Sequence, residues 1–233
     1  MKRFWTTAQV AEADGGFAIA LDGRRVKTPA RVDLIVPTRG LAQAIAREWT
    51  DCGETIDPRS MPLTGFANAA VDRVAADPES FAAGLAQYAQ GDLLCYHVEG
   101  PQLLVDRQES QWNPLLGWAR RRFDVDFVIT TGIMHVAQPD ATVRQLGHAV
   151  AALDPFTLAG LSPLVTIGGS LITALAVIEG ELPATAAWEA VSIDDAWQAE
   201  KWGADVEAVA ALALRRNDFL AAARFVSLLG PLD

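Results

Sequence analysis

The stretch Phe17-Ala18-Ile19-Ala20-Leu21-Asp22-Gly23-Arg24-Arg25-Val26-Lys27-Thr28 reads as a β-hairpin. Its first half is apolar and strand-like. Asp22-Gly23 is a two-residue loop of the kind that tolerates positive φ at both central positions. The chain returns from Arg24 to Thr28, and Pro29 ends the strand because proline has no N–H to donate to a ladder. Upstream, Phe4 to Val10 alternates loosely and Asp14-Gly15-Gly16 supplies a turn. Downstream, Asp33-Leu34-Ile35-Val36 adds a strand closed by Pro37. The opening segment therefore predicts a small antiparallel sheet.

The apolar period then changes to that of a helix. Thr38 is placed to cap a helix carrying Leu41, Ala44, Ile45, Glu48 and Trp49. A Pro-containing connector runs from Thr55 to Leu63. Thr64 is expected to cap a helix with Phe66, Ala69, Ala70 and Val74. Asp77-Pro78-Glu79 opens another, reaching about Gln90. Leu93 to Val98 is apolar without a clear period. Pro101 to Phe123 predicts a long helix, Val125 to Ile129 a further strand, and Thr142 onward is helical throughout. The fold class is α+β: a small N-terminal antiparallel β unit, residues 1–52, followed by a larger mainly helical unit, residues 53–233.

The 233 residues are 51% hydrophobic and 21% charged, a composition that builds a core rather than a disordered coil. The formal net charge is −10. Such a chain repels phosphate backbones and anionic headgroups, so nucleic acid and membrane surfaces are poor partners. Cys52 and Cys95 form no CxxC pair, which fits a reducing compartment. No apolar run follows Met1-Lys2-Arg3-Phe4-Trp5, so a bacterial cytoplasmic location is expected. Phe156 to Ile178 carries no charge and has the length of a bilayer span. Pro163 and Gly168-Gly169 interrupt it, and Asp154-Pro155 looks like a helix start. Two short buried helices are expected there, not membrane insertion.

Motifs for small-molecule chemistry are weak. Asp14-Gly15-Gly16 and Ile167-Gly168-Gly169-Ser170 lack phosphate-loop spacing. His97, His135 and His148 make no His/Cys pair at helical spacing, and Cys95 with His97 supplies two ligands where zinc needs more, so no metal is expected. No GxSxG occurs. Cys52 sits between Asp51 and Glu54, which would raise its thiol pKa. Asp72, Asp92, Asp106, Glu109, Asp194, Asp195 and Glu200, without singling out a pair, leave an acid–base enzyme open as an alternative, and Cys95 with His97 leaves a Cys/His-based one. A structural adaptor is a third reading.

Several segments occur together: Lys2-Arg3-Phe4-Trp5, Leu21-Asp22-Gly23-Arg24 to Thr28-Pro29, Glu48-Trp49, Met61-Pro62-Leu63, Asp92-Leu93-Leu94-Cys95-Tyr96, Gln108 through Trp112-Asn113-Pro114, and Trp197-Gln198 through Trp202-Gly203. In this order they resemble the assembly chaperone family that acts on the α subunit of the ATP synthase F1 head. Asn113 departs from that pattern, where an Asp commonly precedes the proline. The resemblance implies a chaperone without catalysis or cofactor, monomeric when free. It would hold the free α subunit of F1-ATPase until the β subunit takes it, in the bacterial cytoplasm here and in the mitochondrial matrix for eukaryotic relatives. It also implies a partner-binding role for Asp194, with Trp197, Gln198 and Trp202 beside it. Trp197 and Trp202 are five residues apart on a helix and point to different sides, so one can be core while the other meets a partner. Trp49, Asp92 and Trp112 are expected to be structural.

Overall fold

The computed structural model describes residues 2–203 and 205–230. The chain begins with β1 (Ala8–Ala13) and β2 (Gly16–Leu21), paired antiparallel with Val10 opposite Ile19. The two-residue loop at Asp22-Gly23 leads to β3 (Arg24–Arg25), and Leu21 faces Arg24 across it. Asp22 and Gly23 have φ of 46° and 81°, the conformation that loop requires. Asp22 also accepts the amides of Thr7 and Thr6, which hold its carboxyl below the usual range. β4 (Ile35–Val36) pairs with the start of β2, placing Ile35 opposite Ala18. The sheet buries one face, and Ile19, Leu34 and Val36 are fully enclosed.

α1 (Arg39–Asp51) closes over that face. Thr38 caps it, accepting the Leu41 amide at 3.2 Å. α2 (Pro62–Ala69) follows and continues through a π-helical turn, Ala70–Val74. Here the sequence expectation is corrected. The helix starts at Pro62, and Thr64 is not its cap. Instead the Glu48 carboxylate, arriving from α1, accepts the Leu63 amide, the Thr64 amide and the Thr64 hydroxyl at 2.8, 2.8 and 2.7 Å. A long-range carboxylate replaces the local hydroxyl because it satisfies two of the helix's orphan N–H groups at once. Burial nevertheless pushes the Glu48 carboxyl up, against the pull of these bonds.

α3 (Pro78–Ala86) is capped by Asp77. The apolar run after it forms a tight turn, Leu93–Cys95, and a two-residue strand, β5 (Tyr96–His97). α4 (Gln102–Phe123) is the long helix expected, with Pro114 on an exposed position. The strand expected over 125–129 is not formed. The strand is β6 (Thr130–Thr131), parallel to β5, while the Val128 backbone is taken up by the Gln138 side chain instead. The remaining elements are α5 (Asp140–Ala151), α6 (Pro155–Gly168), α7 (Leu171–Ile178), α8 (Ala184–Val191), α9 (Ile193–Trp202) and α10 (Val206–Ser227). The uncharged stretch 156–178 is two buried helices. Asp154 caps α6, Gly169 turns the chain at φ 68°, and Ser170 caps α7. Among the described residues, no helix is long and apolar enough to cross a membrane.

Asp92 is wholly buried and accepts two amides: Leu94 at 3.1 Å, which starts the tight turn, and Ile172 at 2.9 Å, at the start of α7. It ties two elements distant in sequence. Its surroundings oppose ionisation, and burial pushes the carboxyl up to about 6 in spite of the amides.

α10 joins the two apolar clusters. Phe225 lies against Phe66 at 5.5 Å in the cluster below the sheet, while Phe219, Ala222 and Val226 fill the helical one. α6 and α10 approach closely at Gly160, where a Cβ would meet Val226 at 2.5 Å. Thr38 donates its hydroxyl to the Leu228 carbonyl at 2.6 Å, closing the chain's end onto the start of α1.

Replacing Glu48 with Ala strands buried donors and should lower unfolding stability by about 2–4 kcal/mol, read from urea denaturation. Asp92 generates a pH dependence. The folded chain binds its proton more tightly than the unfolded one. Its contribution is therefore fully present below the unfolded value and is lost as pH rises to about 6. The stability gap between the wild type and Asp92→Asn should narrow by about 2 kcal/mol between pH 4 and 6, because only the wild type titrates. A gap that does not change with pH would contradict this.

Candidate functional site

α9 forms the ledge on which the sequence-derived candidates Asp194, Trp197, Gln198 and Trp202 lie, and α4 holds it in place. Two side chains of α4 reach it, and a third fixes the helix before it. Trp112, 1% exposed, donates its indole N–H to the Ala190 carbonyl at 2.8 Å, fixing the end of α8 just before α9 begins. One turn earlier, Gln108 is fully buried. Its Oε1 accepts the Val98 amide at 2.9 Å, and its Nε2 donates to Asp194 Oδ1 at 2.9 Å. Arg107, beside it, makes a two-pronged ion pair with Glu200, at 2.8 and 2.9 Å. The guanidinium holds the Glu200 carboxyl below its usual range.

The Asp194 carboxylate sits in the first turn of α9, where the helix dipole favours an anion. It is half-buried and reaches across to α4 rather than along its own helix to Gln198. Gln198 is exposed. The two tryptophans separate sharply. Trp197 is 5% exposed, with Arg107 over its ring at 5.1 Å and Lys201 at 4.6 Å. Trp202 is 78% exposed at the end of the same helix. The ledge thus presents a carboxylate in a fixed position, an amide and a bare indole in sequence along about 12 Å of helix.

The other expected residues lie elsewhere. Trp49 is half-buried and stacks edge-on against Trp5 at 5.1 Å, while the Trp5 indole donates to the Trp49 carbonyl at 3.0 Å. Trp112 and Asp92 are both core residues. Cys95 and His97, the pair weighed as an enzyme centre, are enclosed. Burial, reinforced by the Asp92 charge, pushes the Cys95 thiol up to about 12, and the His97 ring packs edge-on against Trp112 at 5.3 Å. A thiol in that state is not a nucleophile at neutral pH. The segment from Gln108 to Pro114 stands out in the sequence, but neither Gln108 nor its neighbour Arg107 is given a role there. The signal was a glutamine on the apolar face of a long helix, one turn from a tryptophan on the same face. A buried polar side chain there must have partners.

Gln108→Leu conserves much of the volume but leaves the Val98 amide unpaired and unseats Asp194. It should lower stability by about 1–3 kcal/mol and raise hydrogen exchange in α9, read by mass spectrometry.

Residues 2–120 match the family model described as ATP12 chaperone protein. The chain is 23% identical over 214 residues to Protein atp12, mitochondrial, of Schizosaccharomyces pombe, spanning 87% of this chain and 74% of that one. Among solved structures, Atp12 from Paracoccus denitrificans is similar with a TM-score of 0.92 and 42% identity, over 98% of each chain. An Asp-to-Lys mutant of the P. denitrificans protein is similar with the same TM-score and 41% identity, over 98% of this chain and 97% of that one. On sequence and on structure alike, the chain belongs to the ATP12 chaperone protein family.

Proposed function

We propose that this chain is an assembly chaperone that holds the free α subunit of F1-ATPase until the β subunit replaces it, without catalysis of its own. The observation that carries this is the ledge on α9. Trp202 stands bare at the end of a helix whose first turn carries Asp194 and Asp195, and α4 fixes that helix from behind. An unassembled subunit exposes apolar surface that aggregates, and a holder must cover it while staying displaceable. A rigid ledge with one exposed indole suits that. Trp offers a large contact area with few rotamers to freeze, and interface hot spots are enriched in it. The acidic chain, net −10, favours a partner with a basic margin. Membership of a chaperone family points the same way.

Asp194 takes a double role in this reading: it anchors α9 through Gln108 and offers charge to the partner. Asp194→Asn keeps an acceptor for Gln108 and removes only the charge. Co-expression with the cognate α subunit should keep that subunit soluble. Asp194→Asn and Trp202→Ala should each leave the melting temperature nearly unchanged and weaken α capture by about tenfold. If the α subunit is equally insoluble with and without the chain, the proposed function fails. If Asp194→Asn lowers stability and leaves capture intact, the residue is structural only.

A further inference from the structure

α10 has two unlike halves. From Phe219 onward it is a core helix, with Phe219, Ala222, Ala223, Phe225 and Val226 buried. Before Phe219 its side chains are exposed, Leu212 alone being half-buried. Yet from Val206 to Leu214 every residue but Glu207 is apolar. A helix apolar on all sides is normally enclosed by protein. Here it projects as an arm about 20 Å long. Val206 is 81% exposed, Val209 50% and Leu214 65%. The arm lies against α9: Asp195, Gln198, Trp202, Val209, Leu212 and Arg215 line one open groove between them. Asp195 pairs with Arg215 across it at 3.4 Å.

The charges say what kind of surface fits. Asp205 caps the arm and Glu207 stands in its first turn, both exposed. Neither belongs to an ion pair among the described residues. The complement is an apolar patch with basic residues at its margin. A second copy of this chain is a poor fit, since two arms meeting tip to tip would bring four uncompensated carboxylates together.

We infer that the first half of α10 is a docking arm, continuous with the α9 ledge, that seats an apolar, basic-rimmed patch of the free F1 α subunit. This rests on the proposed function. The arm's small residues, Ala208, Ala210, Ala211 and Ala213, let a partner approach the helix backbone closely. The partner covers the apolar arm and the arm covers the partner's patch, so both surfaces leave water together. Asp205 and Glu207 set the orientation.

The test uses the full chain and tagged cognate α subunit, with the α subunit's soluble yield and its binding to the chain as readouts. Val206→Asp/Val209→Asp and Val206→Ser/Val209→Ser alter only exposed side chains, and circular dichroism and melting should match the wild type. Both pairs should weaken α binding by about tenfold or more. Ile133→Asp, at a side chain 98% exposed on a different loop, should bind as the wild type does. Wild-type binding by both arm variants overturns the inference and leaves the proposed function standing. A concentration-dependent dimer that the arm variants abolish overturns it too, giving the arm to a second copy. If the wild-type chain itself fails to bind the α subunit, both readings fall.

Discussion

One buried amide, Gln108, sets the relation between the core and the exposed face of this protein. Its carbonyl oxygen takes the Val98 amide and its NH₂ holds Asp194. A buried polar side chain left half-satisfied costs more than an apolar one would. The network therefore holds only if α4, the turn before it and α9 keep one arrangement. Trp112 reinforces it a turn away by bonding the end of α8. Arg107 adds a two-pronged ion pair to Glu200, so α4 holds α9 at both its first and its last turns.

The same logic recurs where sheet meets helices. Glu48 caps α2 from α1, Asp92 caps α7 from a turn far upstream, and Thr38 closes onto the chain's end. Each is a side chain satisfying backbone groups of a distant element. Apolar burial supplies the bulk of the stability, with Phe225 reaching into the cluster beneath the sheet. The polar caps fix which elements sit together. Two of them, Glu48 and Asp92, keep carboxyls in surroundings that resist ionisation, so the fold holds charge where burial alone would remove it.

Much of the fold was legible because its signals are local. Asp22-Gly23 specifies its turn through backbone conformation alone, and Asp154-Pro155 with Gly169 divides an uncharged stretch into two helices. The errors fall where a distant partner decides. Thr64 lost its capping role to Glu48, and Val125 to Ile129 lost its strand because Gln138 took the Val128 backbone. The candidate ledge was legible only in part. The spacing of Trp197 and Trp202 showed that they diverge, but not which one is exposed. That depends on which ring packs into the helical core, and it is Trp197, with Arg107 and Lys201 over it. The arm was written in the sequence as an apolar run without a period. Such a run reads as core, and only the structure shows that nothing in the described chain encloses it.

In the proposed function α9, fixed from behind by α4, is where the partner is held. Amide hydrogen exchange of the full chain, with and without the free F1 α subunit, addresses it most directly. The partner should slow exchange in residues 193–202 and in the adjoining start of α10, with little change in β1 and β2. Protection confined to the sheet, with α9 exchanging as fast as in the free chain, would contradict it.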